Sequence, residues 1–244
     1  MRALILLFFV LTDARLVEIE KRLIGGYDCQ RPYHVDIFFF FDATGVTGFN
    51  CGGSFISDQW ILTARHCKEQ NSPRVTLRWV VGPKMEKIEH TFDVTPGLLY
   101  ENQNHDIMLI KLPNSAGNIQ ILGLPDEHCV TPVNGRVMEV AGRGAVNVLQ
   151  AGTEGHRYKK HLQCLELEVS DCPSVYDQFK PQRFFCAGGK DKDGCTGDSG
   201  GGLVYNYMIY GVLSTVGHYK CEDPVLFMDV CSYRTWIVSI INQN

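Results

Sequence analysis

A series of short β-forming runs, separated by Gly, Pro, Asn and Asp, occupies most of the chain and restricts its fold more than any other feature. Examples are YHVDIFFFF at 33–41 and RVTLRWVV at 74–81. Many short strands with turn residues between them are typical of an all-β barrel or sandwich. Only the C-terminus is predicted to be helical, because apolar residues recur at helical spacing after Ser232, a residue type that favours a helix N-cap.

Length and charge narrow the class further. The chain has 244 residues, of which 45% are hydrophobic and 20% charged, so it can bury a sizeable core in one or two domains. The formal net charge is −4 and there is no basic block, so nucleic acid is not an expected partner.

Residues 1–14 have the pattern of a signal peptide, with a positive start at Arg2, an apolar run and a small-residue end at Ala14. The apolar run is too short to span the roughly 30 Å of a bilayer core, so we expect a secreted, extracellular protein without a membrane anchor. The ten cysteines, an even number, predict disulfides in such a protein. A metal site is not expected, because no Cys-x-x-Cys pair is present.

Residues 15–22 form a short charged segment that ends in Lys21 and Arg22, directly before Leu23. A dibasic end before an apolar residue is typical of a processing site, although a solvated surface run has the same composition. The processing interpretation depends on the motifs that follow.

Three residues have the types that nucleophilic catalysis requires. Ser199 lies among glycines directly after Asp198, His66 follows an apolar strand, and Asp106 begins another. A serine becomes a nucleophile when a base takes its proton, and an acid must hold that base in the correct tautomer. A lone histidine is usually a surface or core residue, and an aspartate at a strand end can be a turn residue, so the three together carry the hypothesis.

Four motifs extend this hypothesis to the whole chain: LIGG at 23–26, LTARHC at 62–67, DIMLI at 106–110 and GDSGGG at 197–202. The chain resembles the trypsin/chymotrypsin-type serine endopeptidases in these motifs and in their order. Its overall appearance resembles that of arthropod trypsin-like proteases, including those of mites. The resemblance implies an all-β fold of two six-stranded antiparallel β-barrels with a C-terminal α-helix. It places a signal peptide at 1–14, an activation propeptide at 15–22 and the protease domain, with its two barrel subdomains, at 23–244.

The resemblance also implies roles for the motif residues. Ser199 would be the nucleophile, His66 the general base and Asp106 the residue that orients it. The backbone N–H groups of Gly197 and Ser199 would form the oxyanion hole. No cofactor or metal is implied. The enzyme would be a monomer that acts on a protein or peptide substrate.

The activation site follows from the same resemblance. An activating protease would cut after the basic Arg22 and free the amino group of Leu23, which would insert and pair with Asp198. The precursor would therefore be an inactive zymogen.

The resemblance further implies five disulfides, which use all ten cysteines. The pairs are Cys29–Cys164, Cys51–Cys67, Cys129–Cys231, Cys172–Cys186 and Cys195–Cys221.

The substrate pocket departs from the family pattern. By resemblance Asp193 lies at the base of the pocket, where an aspartate attracts Arg or Lys, and Ser214 begins one wall. Two wall positions that are glycines in trypsins are Val216 and Val225 here. Their branched side chains would narrow the pocket. A long substrate side chain would have to displace them, and overpacking of this kind costs about 1–3 kcal/mol. The alternative function is a catalytically weak or inactive paralogue that acts as a binding or inhibitory protein.

Other positions also differ from the family. Arg65 stands where the family usually has alanine, and Arg143 where it usually has tryptophan. Gly202 replaces the proline that normally closes the serine motif. None of these changes removes a predicted catalytic atom.

Overall fold

The structure is a computed structural model that describes residues 26–40, 47–68, 71–143, 145–150, 153–158, 161–179, 181–189, 198–215 and 224–244. In chain order, the strands and helices are β1 (Tyr27–Asp28), β2 (His34–Phe40), β3 (Thr47–Phe55), β4 (Trp60–Thr63), a 3-10 helix (Arg65–Cys67), β5 (Arg74–Val81), β6 (Glu86–Asp93), β7 (Leu99–Glu101), β8 (Met108–Lys111), β9 (Val137–Gly142), β10 (Ala145–Gln150), β11 (Thr153–Tyr158), β12 (Gln163–Ser170), a second 3-10 helix (Ser174–Phe179), β13 (Phe184–Gly188), β14 (Gly202–Tyr205), β15 (Met208–Thr215), β16 (Val225–Asp229) and α1 (Val230–Gln243).

The strands form two barrel-like antiparallel sheets, which confirms the predicted all-β class. The N-terminal sheet has the order β6-β5-β2-β3-β4-β8-β7. The C-terminal sheet has the order β12-β13-β16-β15-β14-β9, and β9 pairs with β12 again to close a six-stranded barrel. Among the described residues only this second sheet closes, so the first is a half-barrel of seven strands and differs from the six-stranded barrel expected. Strand β1 crosses over and pairs with β12, and β10 and β11 form a separate hairpin.

Strand β2 shows how the alternation of the sequence becomes a sheet with one buried face. Val35, Ile37 and Phe39 are fully buried, whereas Phe38 and Phe40 are only half-buried. Side chains of a strand point alternately to opposite faces, so the apolar run YHVDIFFFF supplies both a core face and an outer face. On the outer face the guanidinium of Arg78 lies 4.5 Å from the centroid of the Phe38 ring.

The C-terminal helix begins earlier than its sequence suggested. Strand β16 passes directly into α1, and Asp229 is the N-cap, its carboxylate accepting a hydrogen bond from the backbone N–H of Cys231 at 3.1 Å. The hydroxyl of Ser232, the predicted cap, instead donates to Asp229 Oδ2 at 2.7 Å. A carboxylate at this end also interacts favourably with the helix dipole, which explains why Asp229 is preferred. None of the helices in the described part of the chain is long and apolar enough to cross a bilayer.

Four of the five expected disulfides are formed. They are Cys29–Cys164, Cys51–Cys67, Cys129–Cys231 and Cys172–Cys186. The expected pair of Cys195 and Cys221 lies outside the described residues.

Candidate active site

His66 and Asp106 meet because of the pairing of two strands. Strands β4 and β8 are antiparallel neighbours, with Thr63 opposite Met108. The chain leaving β4 and the chain entering β8 therefore lie side by side, and these two segments carry His66 and Asp106. The backbone N–H of His66 donates to Asp106 Oδ1 at 2.7 Å, and His66 Nδ1 lies 2.7 Å from Asp106 Oδ2.

Asp106 is held as an ionised carboxylate. Burial alone would raise its pKa, but the hydrogen bonds and charge of His66 and the hydroxyl of Ser214, which donates to Oδ2, outweigh burial and lower the pKa. In the neutral tautomer that donates from Nδ1 to this carboxylate, Nε2 of His66 is the nitrogen left to accept a proton. The His66 side chain is 42% exposed, so this nitrogen is within reach of a substrate.

The backbone around Ser199 is fixed from both sides. The carbonyl of Ser199 accepts from Gly52 N–H at 2.7 Å, and Gly200 N–H donates to Leu213 O at 2.7 Å. Gly200 has φ +82°, the left-handed region, and a Cβ there would overlap Gly52 O and Thr63 Oγ1. Glycine is therefore required after Ser199, both for the turn and for the close approach to β3 and β4.

The Cys51–Cys67 disulfide brings the serine and histidine segments together. Cys51 precedes Gly52, which holds Ser199, and Cys67 follows His66. Both sulfurs lie within 4.8 Å of a His66 ring nitrogen and of each other. No hydrogen bond joins the Ser199 hydroxyl to His66, two residues that the structure describes fully.

This group of His66 and two cysteines is the one cluster with metal-ligand spacing in the described residues. Both sulfurs are joined in a disulfide and cannot bind a metal as thiolates. The cluster therefore does not fit a metal centre.

Asp198 is fully buried and packs closely against the end of β9. A Cβ on Gly142 would overlap the Asp198 carboxylate, so β9 must end in glycine for the carboxylate to lie there. The expected partner of Asp198, the amino group of Leu23, lies outside the described residues, as do Arg22 and Gly197.

The pocket residues are described only in part. Ser214 is buried at the end of β15 and contacts Asp106. Val225 is fully buried in β16, in the hydrophobic cluster that contains Leu213 and Phe227. Asp193 and Val216 lie outside the described residues.

The structure adds neighbours of the candidate triad that the sequence did not reveal. The side chain of Gln182 accepts from the backbone N–H of Asp106 at 2.9 Å. Glu101 binds both Arg65, at 3.0 Å, and Lys68, so a carboxylate compensates the positive charge beside His66. No local sequence pattern marks these residues. Only the pairing of β7 with β8 could have placed Glu101 here.

Comparisons with known proteins agree with this geometry. The trypsin family model matches residues 23–237. Trypsin from Xenopus laevis is 33% identical over 98% of this chain and 99% of its own length. Cationic trypsin-3 from Rattus norvegicus is 32% identical, with both chains covered in full. Among solved structures, human heparin binding protein has a TM-score of 0.67 at 24% identity, over 91% of this chain and 97% of its own.

These comparisons also correct one expectation. The relatives are vertebrate proteins, so the expected likeness to arthropod and mite proteases is not supported. The similarity to human heparin binding protein is low in sequence and supports the fold alone.

Proposed function

Because the chain belongs to the trypsin family of serine proteases, we propose that it is a secreted endopeptidase that hydrolyses peptide bonds with Ser199, His66 and Asp106. The observation that carries the proposal is that one ionised carboxylate, Asp106, accepts hydrogen bonds from both the backbone and the ring of His66. A surface histidine has no need of such a partner, whereas a general base does.

The proposed reaction has two stages, acylation of Ser199 and hydrolysis of the acyl-enzyme, and His66 acts in both. His66 Nε2 takes the proton of the Ser199 hydroxyl as Oγ attacks the scissile carbonyl, and the imidazolium that forms is stabilised by Asp106. The same proton passes to the leaving amine as the peptide bond breaks. Water then attacks the acyl-enzyme with His66 again as base, which releases the acid and restores the serine.

The negative oxygen of each tetrahedral intermediate would bind to the N–H groups of Gly197 and Ser199. The carbonyl of Ser199 is already held by Gly52, and this bond supports a fixed orientation of the loop. A donor of this kind lowers a barrier by about 3 kcal/mol only when it is oriented before the reaction.

Activation would follow cleavage after Arg22 by a protease that recognises a basic residue. The new amino group at Leu23 would pair with Asp198, whose complete burial makes a compensating charge necessary. Residues 1–14 would direct export and residues 15–22 would keep the enzyme inactive until then.

Specificity would depend on Asp193 at the pocket base and on Val216 and Val225 in its walls. Val225 is completely buried among apolar side chains, which supports a narrow pocket, because its branched side chain fills space that a glycine at this position would leave open. A small or medium side chain before the scissile bond is then as much expected as a basic one, and cleavage after Arg or Lys is expected to be inefficient. The alternative of a catalytically inactive binding protein is not favoured, since the contact of His66 with Asp106 is intact.

The proposal is tested with two forms of the protein and a dye-labelled protein substrate. A chain that begins at Leu23 is expected to cut the substrate, and its Ser199→Ala variant is expected not to. A proform carrying Arg22→Gln should stay inactive when treated with a protease that activates the unaltered proform. Equal hydrolysis by the Ser199→Ala variant, or none by either form, would contradict the proposal.

A further inference from the structure

A partly buried ion pair joins the two sheets close to the serine loop. Asp36 lies on β2 of the first sheet, and Arg143 directly follows β9 of the second. Arg143 Nε donates to both carboxylate oxygens of Asp36 at 2.8 Å. His34, also on β2, lies with Nε2 3.3 Å from Asp36 Oδ1. Asp36 is only 8% exposed and His34 6%.

One side of this cluster leads to Ser199. His34 lies against β3, and its Cε1 would be 3.0 Å from a Cβ on Gly52. The N–H of Gly52 donates to the carbonyl of Ser199 at 2.7 Å. A shift of the His34 ring therefore reaches the backbone of Ser199 through a single glycine.

The other side leads to Asp198. Arg143 directly follows Gly142, which packs so closely against the Asp198 carboxylate that no Cβ would fit between them. A shift of the Arg143 backbone therefore reaches the residue before the nucleophile. The contacts of this cluster therefore reach two consecutive residues, Asp198 and Ser199.

The charge on Asp36 is maintained inside the fold. Burial alone would raise its pKa, but the hydrogen bond and charge of His34, together with Arg143, outweigh burial and lower the pKa. A buried ion pair is rarely more stabilising than apolar residues of the same volume. Its directional hydrogen bonds, however, fix the relative position of the groups that it joins.

We propose that Asp36 and Arg143 are positioning residues, which hold the Asp198–Ser199 segment in its reactive place by joining β2 to the end of β9. The inference rests on the proposed peptidase function for its consequence in catalysis. The positioning itself is a property of the fold and can be measured separately.

The chain offers a matched control. Arg31 and Glu139 also form an arginine–carboxylate pair between the segment before β2 and strand β9, with Nε 2.6 Å from Oε1. Glu139 also accepts a hydrogen bond from the Tyr27 hydroxyl at 2.8 Å, and neither Arg31 nor Glu139 makes a side-chain hydrogen bond to the described part of the serine segment. Glu139→Gln therefore breaks an ion pair of the same kind, made by a residue of the strand that Arg143 follows, without changing a residue hydrogen-bonded to the serine segment.

The first test is kinetic and uses the activated chain that begins at Leu23. Asp36→Asn is expected to lower kcat about 10- to 100-fold with little change in KM, because small displacements of a catalytic group cost this much. Arg143→Lys, which keeps the charge, should retain more activity than Arg143→Gln. An unchanged kcat for Asp36→Asn, or an equal loss for Glu139→Gln, would overturn the inference.

The second test is independent of catalysis. Hydrogen exchange at the Gly52 amide, which donates to Ser199, should be faster in Asp36→Asn than in the unaltered protein and unchanged in Glu139→Gln. If Asp36→Asn does not fold, the double variant Asp36→Asn/Arg143→Gln removes both charges and serves instead. Unchanged exchange at Gly52 would refute the positioning role. An inactive unaltered protein would refute the proposed function alone.

Discussion

Replacing Gly200 with alanine tests whether the serine loop is as tightly packed as the structure indicates. Gly200 has φ +82°, and its Cα faces the carbonyl of Gly52 and the hydroxyl of Thr63 without room for a methyl group. The substitution adds one carbon atom and leaves Ser199, His66 and Asp106 unaltered. Any loss must therefore come from the backbone of the loop and from the strands behind it.

Two costs add up in this variant. An alanine in the left-handed region costs about 1–2 kcal/mol. Forcing a methyl group into a filled space costs about 1–3 kcal/mol more, since the obstacles are a backbone carbonyl and a buried hydroxyl that already bind each other at 2.8 Å. We expect the free energy of unfolding to fall by about 2–5 kcal/mol in total.

The assay is urea unfolding with the disulfides intact, and Gly117→Ala is the control. Gly117 has nearly the same φ, +87°, but no atom lies within 4 Å of a Cβ built there. Its alanine variant should lose only the conformational cost, about 1–2 kcal/mol. If both variants lose the same free energy, the loop is not packed against β3 and β4, and the account of how Ser199 is positioned fails.

Three further predictions concern acid stability, the end of the serine motif and the pocket. The pKa of Asp106 is lowered in the folded state. Its contribution to the free energy of unfolding is therefore complete above the unfolded carboxyl pKa of about 3.9 and is lost as the pH falls through the lower folded value. Urea unfolding at a series of acidic pH values should show a smaller loss of stability with falling pH in Asp106→Asn than in the unaltered protein. Gly202→Ala should lower the free energy of unfolding by about 1–3 kcal/mol, because a Cβ would lie 2.5 Å from Ser54 Oγ and 2.7 Å from Ile209 Cδ1. Adding Ile209→Val, which removes Cδ1, should recover part of the lost melting temperature. The double variant Val216→Gly/Val225→Gly should raise cleavage after Arg and Lys in a peptide library, and an unchanged profile would refute the steric argument.

The sequence predicted the all-β class because alternation and turn residues are local signals. Strand β2 has its buried face where the alternation of Val35, Ile37 and Phe39 places it. Local signals could not decide between barrel and sandwich, nor which sheet closes, since closure depends on the pairing of β9 with β12. The family resemblance implied barrels, and the structure showed which sheet closes.

The candidate site, too, could be predicted only in part from the sequence. The types and order of His66, Asp106 and Ser199 were visible in the chain, but the contact of His66 with Asp106 depends on the pairing of β4 with β8. The Asp36–Arg143 pair spans 107 positions, and neither residue has a local pattern that points to the other. The helix cap illustrates a smaller failure, because Ser232 has a suitable type but Asp229 lies where the strand ends.

An active-site-directed fluorophosphonate measures whether Ser199 is a working nucleophile. The chain that begins at Leu23 is incubated with the reagent, and its intact mass and the modified peptide are determined. We expect one adduct per chain, on Ser199, which is absent from Ser199→Ala and forms more slowly in Asp106→Asn. A folded protein that forms no adduct on Ser199 would show that this serine is not a working nucleophile.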